Sequence, residues 1–379
     1  MIPEPNFPAK PEDFVGRQQQ VQTFRQALQQ GLTTGRTASF AILGDWGVGK
    51  SSLMLKFADV CAEPSFNLLP VFVSVSNDIH DYLRFAESLL DKFTEALLSK
   101  SQIPARARAE LRNWRLKGVH VGGFDLERES QRLFLSSGSS LLQHTLKEAW
   151  KRFLTTSALK GAVFFLDDLQ NITSISKADL ALILRDQFQS FGIDGLNYSV
   201  CFSAKSDYFA EMKGLAEPAS RFYSKIYLTP FSSDETEQYV RSIFAESPNV
   251  LPCKLLTDWL HQKTLGHAYF LAFICRQLTL EAAASLDIGR VERLWPAIFE
   301  QLGREKFRSD TAQLSPKEVE LLREFARLNE GDLTVHQLGP RFQREYFGRL
   351  AERGLLVRTA RGRYKLYHPL FRAFLQQRQ

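Results

Sequence analysis

One segment near the start of the chain has the composition of a phosphate-binding loop. It matches the pattern G-x-x-x-x-G-K-[ST] at every position, and its residues are Gly44, Asp45, Trp46, Gly47, Val48, Gly49, Lys50 and Ser51, with Ser52 directly after it. In such a loop the backbone N–H groups surround phosphates, the lysine places a charge beside the β- and γ-phosphates, and the serine hydroxyl binds Mg²⁺. The sequence therefore predicts a site for ATP and Mg²⁺, with Ser51 as a metal ligand.

A second segment supplies the carboxylates that such chemistry needs. Residues 163–166 are apolar, and Asp167 and Asp168 follow them directly. Acids at the end of a neighbouring strand hold the metal and orient the attacking water in phosphoryl transfer. We expect Asp167 to be the metal-side acid and Asp168 to orient or deprotonate the water. The alternative is that the two acids cap the next helix.

The elements around these residues follow the rhythm of a parallel α/β sheet. Short apolar runs indicate strands, and longer segments with helical spacing separate them. The predicted strands are 38–43, 69–75, 162–166, 198–203 and 225–228. After Phe231 the pattern is helical, so we expect a sheet domain over residues 1–231 and a helical lid over 232–309.

The last part of the chain has its own organisation, over residues 310–379. Ser315 to Glu318 is a capping box, so a helix is expected to begin there. A short second helix over 334–338, a third over 340–353 and a hairpin around 359–362 complete the layout of a winged helix. In that layout seven cations are placed to contact nucleic acid, three on the third helix and four on the hairpin: Arg341, Arg344, Arg349, Arg358, Arg361, Arg363 and Lys365.

Most of the net positive charge of the chain lies in this module. The chain of 379 residues has 48 Lys+Arg and 42 Asp+Glu, a net charge of +6. Residues 310–379 hold 13 of the basic and 8 of the acidic residues, which leaves 35 and 34 for the rest. The basic bias is therefore local, and it favours duplex DNA as a partner of the C-terminal module. The alternative is a solvated basic face that contacts no DNA.

Composition excludes several other classes. With 44% hydrophobic and 24% charged residues the chain is neither disordered nor fibrous. Four cysteines lie far apart without zinc-ligand spacing, so a reduced, cytoplasmic compartment is expected. The longest apolar run, 268–275, is far shorter than the ~18 residues that span a bilayer, so no membrane association is expected.

These motifs together resemble the AAA+ superfamily and its STAND neighbours, in the branch with archaeal-type ATPases and origin-recognition initiators. Residues 14–17 are similar to the F-x-G-R-E element of that branch, which implies that Val15, Gly16 and Arg17 contact adenine. Residues 220–222 and 226–231 resemble the S-R-F box and the L-x-P-F exit of the last strand. The resemblance implies an α/β P-loop ATPase with a helical lid.

The resemblance also implies roles for three further positions. Arg221 would be the arginine finger that reaches the γ-phosphate of an adjacent subunit in a homo-oligomer, and the alternative is an ordinary surface arginine. Ser203, with Ser206 as the alternative, would be the sensor of the γ-phosphate. His267 lies in a segment similar to the G-H-P-Y of STAND-like members and would contact phosphate, unless its role is structural. The Asp-Asp pair, where many relatives have Asp-Glu, favours slow, switch-like hydrolysis.

Two functions remain open at this point. The first is a DNA-acting ATPase, similar to an initiator or a transposon target selector, that oligomerises with ATP. The second is a signalling or defence switch whose winged helix is a regulatory latch or a protein-binding module. Stimulation of the ATPase by DNA favours the first, and a protein trigger favours the second.

Overall fold

The computed structural model describes residues 2–75, 79, 81–100, 103, 105–106, 108–109, 111, 131–172, 175–209, 217–245, 253–281, 287–328, 331–338 and 341–377. These residues form two compact units, one of residues 8–229 and one of residues 1–7 with 230–379. We call them the nucleotide unit and the C-terminal unit. The boundaries predicted at 231 and 309 stay predictions.

The nucleotide unit is built on a five-stranded parallel sheet. Its strands are β1 (Ser39–Gly44), β2 (Leu69–Ser74), β3 (Ala162–Asp167), β4 (Tyr198–Ala204) and β5 (Tyr223–Leu228). They lie in the order β2-β3-β4-β1-β5, so β4 is between β3 and β1, although β1 is far from β4 in sequence. All five predicted strands are present within two residues of their expected ends. The α/β P-loop fold is therefore confirmed, and β1, β3 and β4 bring their carboxyl ends to one edge.

Helices cover both faces of this sheet because its central strands are apolar on both sides. β1, β3 and β4 are buried throughout, which is what a parallel sheet requires. The helices of the unit are α1 (Gln18–Thr34), α2 (Lys50–Ala62), α3 (Tyr82–Ser99), α4 (Gln131–Ala149), α5 (Lys177–Ile193) and α6 (Glu217–Phe222). One apolar core packs against α3 and α5, and a second packs against α1 and α2. The phosphate loop is thereby carried on a strand and a helix that are both anchored in a core.

The C-terminal unit begins with helices and ends with a small antiparallel sheet. Its helices are α7 (Ser233–Phe244), α8 (Lys254–Thr264), α9 (Ala268–Leu280), α10 (Ile288–Leu302), α11 (Arg308–Ala312), α12 (Pro316–Leu328), α13 (Arg344–Glu352) and α14 (Pro369–Gln376). The strands β6 (Leu333–Thr334), β7 (Leu356–Ala360) and β8 (Arg363–Leu366) lie in the order β6-β8-β7. One apolar core runs from Val240 to Leu375, so the expected lid and the expected winged helix share it.

The C-terminal module differs from the prediction in two helices. The helix expected over 334–338 is only a short 3₁₀ turn, Val335–Leu338, because Thr334 belongs to β6. The capping box at Ser315 and Glu318 is present, and α12 begins at Pro316. The helix expected over 340–353 begins only at Arg344, because Gln343 is extended at φ −72° and ψ 147°. Arg341 therefore precedes the helix, and its predicted place on the helix was wrong; residues 339–340 lie outside the described part of the chain.

No helix among the described residues is long and apolar enough to cross a membrane.

Candidate functional site

The phosphate loop lies between the end of β1 and the start of α2. Gly47 and Gly49 have φ values of +73° and +97°, a region in which residues with side chains are strained. A Cβ on Gly44 would lie 2.9 Å from the carbonyl oxygen of Leu228 and 2.9 Å from the Val48 side chain. The loop therefore needs glycine at these three positions for its shape, and Trp46 at its tip is 47% exposed.

Lys50 holds its ammonium group against the loop. Its Nζ donates to the carbonyl oxygens of Gly44, at 3.0 Å, and Asp45, at 2.9 Å. Burial lowers the pKa of Lys50, and the negative charges of Asp168 and Asp167 act in the opposite direction. The charge of Lys50 is therefore influenced by the charges of Asp167 and Asp168.

One residue near this cation was missed by the sequence analysis. Lys205, directly after β4, also lowers the pKa of Lys50, so its positive charge lies within reach of the phosphate loop. Its neighbour Ser206 donates from Oγ to Oδ1 of Asp45 at 2.6 Å. A basic residue at the end of a strand was visible in the sequence, but only the strand order shows that β4 lies beside β1.

The acids at the end of β3 are organised by Ser203 on the next strand. The Ser203 hydroxyl donates to Oδ1 of Asp167 at 2.6 Å and accepts from the backbone N–H of Asp168 at 2.8 Å. Asp168 has φ 58° and ψ 50°, and its Oδ1 accepts from Nε2 of Gln170 at 2.9 Å. Ser203 therefore orients Asp167, while the metal role of Asp167 and the role of Ser203 as a sensor of the γ-phosphate stay predictions.

The predicted adenine-binding residues lie where α1 begins. Gly16 and Arg17 both have positive φ, and Arg17 is 6% exposed, whereas Val15 is half-buried. Nη2 of Arg17 donates to the carbonyl oxygen of Thr229. Contact with adenine stays a prediction for all three residues.

Three other predicted site residues have contacts of their own. The Ser52 hydroxyl accepts from the backbone N–H of Ala9 at 3.0 Å. Arg221, with 78% of its side chain exposed, forms an ion pair with Glu217 one helical turn earlier. His267 belongs to the C-terminal unit, where it is 6% exposed and its ring centroid lies 4.7 Å from that of Phe270. The structure leaves the roles of Arg221 and His267 as predictions.

The seven cations that are predicted to contact nucleic acid are all exposed but differ in their partners. Nε of Arg349 is 3.0 Å from Oε1 of Glu318, and Arg341 pairs with Glu324 at 3.3 Å. Within the part of the chain that the structure describes, the other five have no acidic partner: Arg344, Arg358, Arg361, Arg363 and Lys365. The unpaired cations lie at the start of α13 and on the β7–β8 hairpin.

The geometry around the phosphate loop fits ATP with Mg²⁺. No side chain among the described residues caps the start of α2, so its first N–H groups and its positive dipole end are suited to an anion. Mg²⁺ takes oxygen ligands and retains several waters, and the Ser51 hydroxyl and the Asp167 carboxylate are donors of that kind. Bound there, the ion would polarise the phosphates, while the role of Asp168 in orienting or deprotonating a water stays a prediction.

Comparison with known proteins decides which class of site this is. The family model described as the AAA ATPase domain matches residues 13–192. These residues form an AAA ATPase domain. The protein is an ATPase, and ATP with Mg²⁺ is its cofactor. A search of the curated proteins gives no match.

Two solved structures share the fold of this chain over almost their whole length. The Walker-type ATPase PABY2304 of Pyrococcus abyssi is 16% identical with a TM-score of 0.56, over 98% of this chain and 99% of the other. The ORC2 protein of Aeropyrum pernix, solved as ADPNP–ADP complexes, is 14% identical with a TM-score of 0.60, over 99% of this chain and 97% of the other. At these identities the likeness shows the fold alone. It agrees with the resemblance to archaeal-type ATPases and origin-recognition initiators.

Proposed function

We propose that this AAA ATPase is an ATP-dependent switch that oligomerises with ATP and acts on duplex DNA through its C-terminal module. The observation that carries the DNA part is a set of five exposed cations on α13 and the hairpin, for which the described residues provide no acidic partner. Residues 341–379 hold 10 Lys+Arg against 2 Asp+Glu. Such a surface attracts the DNA backbone because binding releases counterions. In the winged-helix layout that we propose, α13 would enter the major groove and the hairpin would lie along the backbone.

Salt dependence tests this proposal. Duplex binding is measured by fluorescence anisotropy across a range of salt concentrations, for the parent and for a variant with four hairpin cations replaced by glutamine: Arg358, Arg361, Arg363 and Lys365. Each lost phosphate contact lowers the slope of log K against log salt by ~0.9, so the slope should fall by about 3 to 4.

A matched control removes four exposed cations that have acidic partners in the same unit: Arg241, Arg304, Lys317 and Arg327. Its net charge equals that of the hairpin variant, so a general charge effect would weaken both equally. The proposal expects the control to keep the parent's slope. Equal slopes for parent and hairpin variant would contradict DNA contact at this surface.

Assembly through Arg221 is the second part of the proposal. Its guanidinium is exposed on α6, where another subunit could meet it, and an arginine finger is worth ~10³–10⁵ in turnover. Arg221→Ala and Lys50→Ala should each be inactive alone. If the finger acts in trans, a mixture of the two recovers activity, since one supplies the phosphate loop and the other the arginine. A mixture as inactive as its components would contradict the role in trans.

A specific observation favours the second candidate function, a switch with a regulatory latch. Residues 367–368, after the hairpin, bond back to α11 and to the end of α8 in the same unit. Tyr367 Oη donates to Oδ2 of Asp310 at 3.2 Å, and Nε2 of His368 lies 2.8 Å from the carbonyl oxygen of Thr264. A latch predicts that DNA leaves turnover unchanged and that His368→Asn raises it. Turnover and particle size with and without duplex, for the parent and for Asp168→Asn, separate the two functions.

A further inference from the structure

Arg17 is buried, unlike the other arginines that the structure describes in the nucleotide unit. Gly16 and Arg17 both adopt left-handed backbone conformations directly before α1, at φ 76° and 56°. Arg17 itself is the residue before the first turn of α1, and 6% of it is exposed. A buried guanidinium is costly unless acceptors satisfy it, so its acceptors indicate what it does.

Two backbone carbonyls lie at the end of this side chain. Nη2 of Arg17 donates to the carbonyl oxygen of Thr229, the first residue after β5, and lies 3.5 Å from the carbonyl oxygen of Val48 in the phosphate loop. Val48 is 3% exposed and belongs to the core shared by α1 and α2. The guanidinium therefore lies between the phosphate loop and the end of the edge strand.

Packing ties the same two segments together independently. Gly44, the first residue of the phosphate loop, is paired in register with Leu228 of β5. A Cβ on Gly44 would lie 2.9 Å from the Leu228 carbonyl oxygen. The loop is thus seated against the end of β5 at Gly44, and Arg17 lies beside it at Val48.

We infer that Arg17 is a positioning residue for ATP hydrolysis, whose side chain holds the phosphate loop against the end of β5 and does not select the base. Arginine suits this place better than lysine because its planar group offers several donors in a fixed geometry. Thr229 is the last residue of the nucleotide unit, so the same bond also fixes where the chain leaves it. The backbone of Val15 and Gly16 remains the proposed contact for adenine.

The test distinguishes an effect on phosphate binding by the loop from an effect on adenine binding. Inorganic tripolyphosphate with Mg²⁺ carries the phosphates of ATP without adenine. Its affinity and that of ATP are measured by competition against a fluorescent ATP analogue, for the parent, Arg17→Ala and Arg17→Lys. Loss of a hydrogen bond from a charged donor costs about 10- to 100-fold. Arg17→Ala should weaken both ligands by the same factor in that range, and Arg17→Lys by a smaller common factor.

Arg25→Ala is the matched control, because Arg25 lies two turns further along α1 and binds Glu63 at the protein surface. It should leave both affinities unchanged. If Arg17→Ala lowered the affinity for ATP alone, the inference would be overturned, because the side chain would then recognise the base. Unchanged affinities for both ligands in Arg17→Ala would also overturn it. Steady-state turnover of Arg17→Lys gives a second readout even if the alanine variant does not fold. If Arg17 positions the loop, Arg17→Lys should raise KM and change kcat by a smaller factor. The reverse pattern would also overturn the inference.

Discussion

In the nucleotide unit several charged and hydroxyl groups of the site are hydrogen-bonded within the site, whereas the hairpin of the C-terminal unit presents cations that no acidic side chain among the described residues contacts. Ser203 binds Asp167, Ser206 binds Asp45, and Lys50 lies on the carbonyl oxygens of its own loop. Arg358, Arg361 and the other hairpin cations are exposed.

The difference fits the two kinds of chemistry in the function that we propose. Stabilising charge that develops during phosphoryl transfer requires groups that are held in place before the reaction begins. Neutralising a DNA backbone requires cations that are free to meet phosphates at many registers. A cation in the first region is therefore expected to matter through geometry, and a cation in the second through its charge.

The largest expected effect comes from removing a charge in the engaged region. Asp168→Asn keeps the size of the side chain and the acceptor for Gln170, but it cannot orient or deprotonate water as a carboxylate does. Turnover should fall by ~10²–10⁴ while ATP affinity stays within a few-fold. Single-turnover hydrolysis and equilibrium ATP binding measure the two. Asp186→Asn, at an exposed ion pair on α5, is the control that should hydrolyse normally; equal rates for both variants would contradict the assignment.

The second prediction concerns an engaged group in the C-terminal unit. Burial lowers the pKa of His368 to about 4 from 6.5. Between these values the unfolded chain binds a proton that the folded unit does not. The contribution of His368 to the free energy of unfolding is therefore fully present above pH 6.5. It decreases as the pH falls towards 4, by about 3 kcal/mol in total.

Amide hydrogen exchange in α9 measures that loss. The unit lies within a larger chain, so a local probe is preferable to one global unfolding curve. His368→Asn should remove the pH step, while the exposed His336→Asn should retain it. A step that persists in His368→Asn would assign the pH dependence to another group.

The third prediction tests whether Ser203 acts through the metal-side acid. Ser203→Ala removes the 2.6 Å hydrogen bond to Asp167. Groups that orient metal ligands are worth ~10–100-fold in metal affinity, so half-maximal activity should need that much more Mg²⁺. Ser199 lies on the same strand, is fully buried, and has a hydroxyl without a hydrogen-bond partner among the described residues. Ser199→Ala should leave the Mg²⁺ requirement unchanged, and a similar shift in both would indicate a strand effect.

How much of this site was predictable depends on whether its signal is local. The phosphate loop and the acids after β3 were found because each is a short pattern in one stretch of sequence. The contacts of Ser206 and the charge of Lys205 were not, because they depend on β4 lying beside β1, and strand order is not written in any one segment. The same holds for Arg17, whose acceptor at Thr229 is 212 residues away.

The C-terminal unit shows the same limit for packing. The sequence predicted helices near α12 and α13, but not that they share one core with the helices after Phe231. Periodicity identifies the buried face of an element and does not identify the partner that covers it. The start of α13 was misplaced for a related reason, since the extended Gln343 is set by its surroundings.

The smallest expected effects come from a comparison of two cations in the same module, Arg349 and Arg361. Glu318 is 4% exposed, and burial raises its pKa, but hydrogen bonds from Ser315 and Arg349 outweigh this and keep the pKa low. Arg349 also lies over the Tyr346 ring at 4.9 Å. Its side chain is half-exposed, so Arg349→Ala should destabilise the module by only about 1 kcal/mol.

Arg361 is at the turn of the hairpin and has no such partner among the described residues. Arg361→Ala should change stability by less than ~0.5 kcal/mol and should lower the salt slope of DNA binding by ~0.9. Hydrogen exchange in α12 and anisotropy titrations measure the two quantities for each variant. A contrary result would be that Arg349→Ala weakens DNA binding as much as Arg361→Ala and leaves stability unchanged. The ion pair with Glu318 would then not prevent Arg349 from contacting DNA, and exposure alone would decide which cations bind.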